Sequence, residues 1–280
     1  MHERVTVMVR WLVLCVLMAL PVTAAQAQVS DLVSSTAFRV CADPANLPFS
    51  SKSGEGFENR IADLVAAELG MPVEYTWFPM ATGFVRNTLR TGQCDVILGF
   101  AQGHELVLNT NHYYTSTHVL VTRTDSALAE VDTLSDSRLK GREIGVIAGS
   151  PPASHLARNG LMATTHGYNL MVDRRVESPI ETMLRDLSEG RLDAAIMWGP
   201  AGAPLAKSMA GLKITPLLKE PESPKLFYRI TMGVRQGELV WKRKLNSLIR
   251  KKQDEIDAIL REAGVPLLDD MGRALKTDGG

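Results

Sequence analysis

Cysteine is scarce in this chain, three residues in 280. That excludes a disulfide-dense scaffold and a multi-cysteine zinc or iron–sulfur framework. An excess of either charge is lacking too, with 31 basic side chains against 31 acidic ones, so no broad basic surface for nucleic acid is expected. Long apolar runs are missing: "WLVLCVLMAL" at 11–20 is well short of the roughly 20 residues that a membrane span needs. Neither the G-x-x-x-x-G-K-[ST] phosphate loop nor the G-x-S-x-G hydrolase elbow occurs. Six histidines are present, but His104 and His112 lie eight apart and His112 and His118 six apart. Neither pair shares a helical face as an i, i+4 zinc pair does. No metal site and no bound cofactor are expected.

What is there reads as a globular exported chain. Composition is 45% apolar and 22% charged, with length for one large domain or two smaller ones. Arg4 and Arg10 precede the apolar run and "AQA" follows it at 25–27, the order of a secretory signal peptide spanning residues 1–27. Cys15 follows Leu14 in mid-run, which does not suit a lipoprotein signal. Cleavage leaves 29 basic and 30 acidic side chains and two cysteines, Cys41 and Cys94.

Apolar periodicity then alternates between strand and helix. "FRVCA" at 38–42 predicts a strand, 56–70 a helix closing on Gly70, "VEYTWF" at 73–78 a strand, 82–91 a helix and "CDVILGF" at 94–100 a third strand. The unit recurs: strands at 142–149, "NLMVDRRV" 169–176 and "LDAAIMWG" 192–199, with a helix at 178–190. Leu89, Gly92 and Asp95 are spaced as Leu187, Gly190 and Asp193 are, an internal repeat at helix end and strand start. Two doubly wound α/β lobes follow, with β-rich runs at 118–123 and 227–235 crossing between them and one long helix over 238–263. Lobe 1 is expected to hold 38–122 plus 223–280, and lobe 2 to hold 123–222.

Open α/β sheets bind ligands at the C-terminal ends of their strands. That points to a shared crevice lined by Asp43, Asn46, Phe49, Phe100, Gln102, Tyr113, Ser150 and Trp198. For Trp198 and Tyr113, anchoring a ligand and ordinary packing are equally open. Cys41 closes one strand and Cys94 opens its neighbour, an offset worth about 10 Å of rise, whereas a disulfide needs Cα atoms within about 7 Å. An oxidising compartment argues for the bond, and it is expected where the "TGQC" turn at 91–94 reaches back.

Nearly the whole mature chain, from "FRVCADPANLPFS" through "GFENRIADLVAAELG" and "GQCDVILGF" to "YYTSTHVLVTR", resembles the periplasmic solute-binding proteins with two-strand hinges. "RVCADPANLPFS", "GEGFENRIADLVA" and "GFVRNTLRTGQCDV" more closely resemble the J proteins of bacterial methanol-oxidation gene clusters, accessories of pyrroloquinoline-quinone-dependent methanol dehydrogenases. The broad resemblance implies a type II periplasmic binding fold. The narrow one implies a periplasmic accessory with a methanol dehydrogenase as partner.

Amino-acid-binding members of the broad family hold their ligand by an Arg before the paired aromatics, a Gly-Thr/Ser-Thr turn and an acid after the last lobe 2 strand. Here the corresponding stretches are "AQGHE" at 101–105, Gly149-Ser150-Pro151-Pro152, and Trp198-Gly199-Pro200. All three groups are missing together. A helix N-terminus offers N–H donors to anions, but proline has none to give. A free amino acid is therefore not the expected ligand. The crevice acids Asp43, Glu58 and Glu105 invite a dehydratase-like reading; Asp43 in a turn before proline suits loop capping instead, and Glu58 at a helix start is favourable there as a charge. No catalysis is expected. The leading expectation is an accessory that binds a dehydrogenase segment or maturation intermediate in the crevice. The alternative is a transporter's receptor for a small solute other than a free amino acid.

Overall fold

The computed structural model describes residues 32–220 and 223–277; the segment 1–27, expected to be a signal peptide, lies outside them. In chain order the elements are β1 Phe38–Ala42, β2 Ala45–Asn46, β3 Ser50–Ser51, α1 Phe57–Leu69, β4 Val73–Trp77, α2 Phe84–Asn87, β5 Val96–Ala101 and β6 Leu108–Arg123. There follow β7 Ile144–Ile147, α3 Pro151–Arg158, β8 Thr165–Tyr168, α4 Pro179–Ser188, β9 Ala194–Trp198, α5 Gly199–Lys207 and β10 Leu212–Pro216. The chain closes with β11 Phe227–Val234, α6 Leu239–Lys251, α7 Gln253–Ala263 and β12 Leu267–Leu268.

Two α/β lobes share β6, a strand of 16 residues. Lobe 1 is built on β4-β1-β5, parallel to one another, with β11 antiparallel beside β5. Lobe 2 is built on β8-β7-β9, also parallel, with β6 antiparallel beside β9. The change of partner along β6 falls between Thr117, opposite Phe227 of β11, and His118, opposite Trp198 of β9. The ends of β1, β4 and β5 in one lobe and of β7 and β9 in the other are where the crevice loops leave the sheets.

Each lobe buries the stripe its pattern prescribes. In α1, Phe57, Ile61 and Val65 recur at helical spacing and are buried, packing with Phe38, Val40 and Trp241. The helix stops at Gly70, whose left-handed φ of 67° is open to glycine at no steric cost. In lobe 2, Met183, Leu184 and Leu187 of α4 pack on Val119, Val121 and Ala195.

The repeat seen in sequence is a repeat of contacts. Asp95 N–H donates to Arg39 O at 2.9 Å and Asp193 N–H to Glu143 O at 2.8 Å, so each aspartate enters its lobe's central parallel strand in the same way. The carboxylate then takes the arginine at the end of the long strand that ends in its lobe. Asp95 Oδ1 pairs with Arg235 just beyond β11 at 2.8 Å, and Asp193 Oδ1 faces Arg123 at the end of β6 at 3.8 Å. Asp95 also accepts from Arg39 Nε and Nη2, both at 2.8 Å.

Several expectations are corrected. The strand expected over 169–176 is instead β8 at Thr165–Tyr168, in register with the four residues of β7, and 169–178 leaves the sheet as a loop. Its run Leu170-Met171-Val172 is strand-like in composition, but Leu170, Met171 and Val176 are exposed, so the run covers no core. The long C-terminal helix is broken at Lys252 into α6 and α7, where Gln253 turns its side chain to Tyr113 O and Asp257. The helix expected over 82–91 is one turn, α2, after which Thr88 Oγ1 donates back to Phe84 O at 2.6 Å.

Candidate functional site

The lobe 1 side of the crevice begins where β1 ends. Asp43 is buried, its Oδ1 accepting from Ala45 N–H at 2.8 Å and its Oδ2 from Met80 N–H at 2.7 Å. Both oxygens serve the backbone of two loops, which is a structural use of the carboxylate. Beyond it β2 and β3 form a short hairpin carrying Asn46. Phe49 is partly buried against Phe57, ring centroids 5.1 Å apart. Its carbonyl lies so close to Gly56 that a Cβ there would stand 2.0 Å from the oxygen, so the hairpin can close on α1 only over a glycine.

Cys41, in β1, is bonded to Cys94, with Cα atoms 5.5 Å apart. Cys41 is level with Ile97 in the ladder, the three-residue offset that the sequence implies. Regular β5 starts only at Val96, so the segment before it bends and brings Cys94 back within reach.

Glu58 departs from the favourable helix-start charge expected of it. It is buried beneath Gly99, where a Cβ would stand 2.1 Å from Glu58 Oε1. Burial pushes its carboxyl up to about 8, so it is mainly protonated at neutral pH. The same pocket holds Tyr113, whose hydroxyl accepts from Gly99 N–H at 2.9 Å. Tyr113 packs edge-on against Tyr114, centroids 5.0 Å apart, and burial drives both phenols up. With Tyr113 only 1% exposed, its ring is core on the lobe 1 side. The signal that could have placed Glu58 indoors is Gly99 in a run of strand-formers, marking a close approach.

On the lobe 2 side, the turn from β7 into α3 carries the unusual Ser-Pro-Pro. Ser150 N–H donates to Ile147 O at 3.1 Å and Ala153 N–H to Ser150 O at 3.0 Å. Ser150 Oγ also turns back, donating to Ile147 O at 2.6 Å. Pro151 and Pro152 have no N–H. From Ser150 to Ala153, every backbone donor is absent or already engaged within the turn, so the usual anion site of a helix N-terminus has no donor there to offer.

Trp198 sits where β6 changes partner. Its ring meets His118 at 5.3 Å and Tyr228 at 5.7 Å, both edge-on, and it is partly buried against the lobe 1 core. His118 is held through Nδ1 on Leu226 O at 2.8 Å, and burial lowers its pKa to about 4; the imidazole is neutral at physiological pH. Phe100 stacks edge-on with His104, centroids 4.9 Å apart. Gln102 is exposed, and with Tyr113 it lines a cavity of about 400 Å³ beside the α6–α7 junction, shared with His112, Gln253, Asp257 and Lys276. Glu105 is exposed on the loop after β5. Among the described residues no group of three or more His, Cys, Asp or Glu is placed to hold a metal ion.

One residue that the sequence did not flag reaches across. Arg174, in the loop after β8, donates from Nη1 to Asn46 Oδ1. Asp43 is near enough to raise the Arg174 pKa, although burial of the guanidinium outweighs it and lowers the value. Around this contact Leu47 and Met80 on one lobe and Leu170, Met171 and Val176 on the other are exposed, interspersed on the loop with the exposed Asp173, Arg175 and Glu177.

Two α/β lobes, a shared crossing strand and strand ends turned to one crevice define a two-lobed binding protein of the type II periplasmic fold. The chain belongs to the bacterial extracellular solute-binding proteins, family 3, which it matches over residues 38–263. It is 31% identical to protein MoxJ of Methylorubrum extorquens, over 82% of this chain and 81% of that one. Among solved structures, the periplasmic binding protein XoxJ from Methylobacterium extorquens AM1 is 43% identical, with a TM-score of 0.70 over 83% of this chain and 100% of that one. MxaJ from Methlophaga aminisulfidivorans MPT is 25% identical, with a TM-score of 0.71 over 82% and 100%. No helix among the described residues is long and apolar enough to cross a membrane.

Proposed function

We propose that this protein is a periplasmic, non-catalytic accessory of a pyrroloquinoline-quinone-dependent methanol dehydrogenase system, binding a segment of the dehydrogenase or of a maturation intermediate between its lobes. The likeness to MoxJ, XoxJ and MxaJ supports the setting. The observation that carries the reading is the turn at Ser150–Ala153, whose donors are missing or engaged. A receptor for a free amino acid must neutralise a carboxylate, and truncating one partner of such a pair in a dry cleft costs roughly 2–5 kcal/mol. The exposed apolar side chains of Leu47, Met80, Leu170, Met171 and Val176, set among charged neighbours, suit a polypeptide's side chains. Closure of the two lobes would then fit the crevice to the segment. Asp43, Asn46, Phe49, Ser150 and Trp198 are the crevice residues proposed to meet it, with Phe100, Gln102 and Tyr113 supporting the lobe 1 wall.

The test is a pull-down of the tagged, exported protein from the periplasm of its own host, followed by native mass spectrometry. Recovery of a quinoprotein subunit is the expected result. A bare protein carrying a tightly held small molecule would make it the receptor of a transporter instead.

A further inference from the structure

The loop between β8 and α4 is tied down in an unusual way. Its internal hydrogen bonds are local: Val176 and Glu177 N–H to Asp173 O at 2.9 and 3.1 Å, and Arg175 onto the Asp173 carboxylate at 2.7 and 2.9 Å. Leu170, Met171 and Val176 point to solvent, 58, 61 and 83% exposed, so the segment gains little from packing. Among the described residues, the hydrogen bond of 169–177 that leaves the loop is Arg174 to Asn46, across 128 positions of sequence and from one lobe to the other. Asn46 itself is held rigidly: it is 5% exposed and its backbone carbonyl accepts from Phe49 N–H at 2.8 Å. A fixed acceptor thus meets a donor on an otherwise untethered loop.

We propose that residues 169–178 are a strap that latches the two lobes in the free protein, with Arg174 seated on Asn46 as its single catch, and that an incoming partner segment has to displace it. The guanidinium occupies the Asn46 acceptor, with Asp43 close by, so a donor arriving at that acceptor has to displace it and the catch is also a plug. A segment carrying a cationic side chain is matched to that exchange: it presents Asn46 with a donor of the same kind, and the neighbouring Asp43 favours the charge. Release leaves Arg174 in water and frees the lobes to move about the point where β6 changes partner. The displacement step rests on the accessory reading above; the latch does not.

The latch is tested first, without any partner. Spin labels at Lys52→Cys in lobe 1 and Ala157→Cys in lobe 2, both exposed positions, report the lobe separation by pulsed dipolar spectroscopy. A narrow distribution is expected with Arg174 intact, and a longer, broader one in Arg174→Ala and in Asn46→Ala. The double variant should add nothing to either single one, since both cut the same bond. An unchanged distribution in Arg174→Ala, or additive effects in the double variant, overturns the latch. Circular dichroism confirms that Asn46→Ala folds, and Arg174→Ala stands alone if it does not. Displacement is then read as dehydrogenase affinity: a plug held by one charge-assisted hydrogen bond implies roughly tenfold tighter binding to Arg174→Ala than to the wild type. Equal or weaker affinity refutes the plug, while no binding to either protein sinks the accessory reading and leaves the distance result standing.

Discussion

Asp95 and Asp193 occupy matching places in the two lobes, yet removing their charges should have unequal effects. Asp95 is 1% exposed at its side chain and its Arg235 partner 7%, at 2.8 Å; Arg39 adds a second guanidinium at 2.8 Å. Asp95→Asn keeps the shape and deletes the charge, leaving Arg235 facing Glu238 at 3.4 Å as its nearest remaining carboxylate. Breaking a buried ion pair from one side costs about 3–5 kcal/mol. At Asp193 the pair is 3.8 Å apart with both side chains 28% exposed, where solvent screens the interaction and the loss is about 0–1 kcal/mol. Glu143 N–H donates to Asp193 Oδ2 at 3.0 Å, and an amide oxygen can accept that bond after Asp193→Asn. For a chain of this size about 1 kcal/mol moves Tm by roughly 2–4 °C, so Asp95→Asn should lower Tm by roughly 6–20 °C and Asp193→Asn by less than roughly 4 °C. Thermal unfolding followed by circular dichroism measures both. Fluorescence adds a local probe, because Trp241 Nε1–H donates to Asp95 O at 3.1 Å. Added salt should shrink the small effect and leave the large one. Equal shifts in the two variants, or the reverse order, would refute the argument that burial rather than position in the repeat sets the cost.

Glu58 makes a signed pH prediction. Its folded pKa of about 8 lies above the ordinary 4.5, so between those values the folded state holds a proton that the unfolded state has released. Its contribution to stability is therefore greatest below pH 4.5 and is lost as pH rises toward 8. Glu58→Gln should match the wild type at pH 5 and exceed it at pH 8.5 in chemical denaturation, and an identical slope in both proteins would contradict the burial argument. Gly99→Ala should unfold more readily than the wild type, since the position has φ 75° and a Cβ would strike the Glu58 carboxyl; a Tm within a degree of the wild type would count against that packing. The bond between Cys41 and Cys94 closes a loop of 53 residues, worth about 4 kcal/mol by loop entropy. Reductant should lower Tm by several degrees, and no change would mean that the bond contributes little. Free amino acids at millimolar concentration should leave Tm unchanged, because a binder gains stability by mass action; a dose-dependent rise with any of them would reopen the receptor reading.

Much of the fold was legible because burial in an α/β lobe writes itself as period: Phe57, Ile61 and Val65 for α1, and the unbroken apolar run of β5 at 96–98. The repeat of Leu89-Gly92-Asp95 in Leu187-Gly190-Asp193 was visible as well, but not its purpose, since Arg123 and Arg235 are distant in sequence. The loop 169–178 misled because a short apolar run such as Leu170-Met171-Val172 looks alike whether it faces a core or water. Arg174 carried no signal of its own; its role depends on a hairpin 128 residues away. Glu58 looked like a favourable charge at a helix start, whereas a close glycine and two tyrosines shut it away from solvent.

The ring cluster of His118, Trp198 and Tyr228 has one more consequence. These side chains stand where β6 passes from one sheet to the other, so a rotation of the lobes about that point must alter their edge-on contacts. Trp198 emission is then an optical gauge of lobe angle built into the chain. Trp77, stacked on Tyr75 at 4.4 Å, and Trp241, in the lobe 1 core, move with one lobe alone and supply the constant background. Opening and closing can be timed in the native protein by stopped-flow, with no label attached.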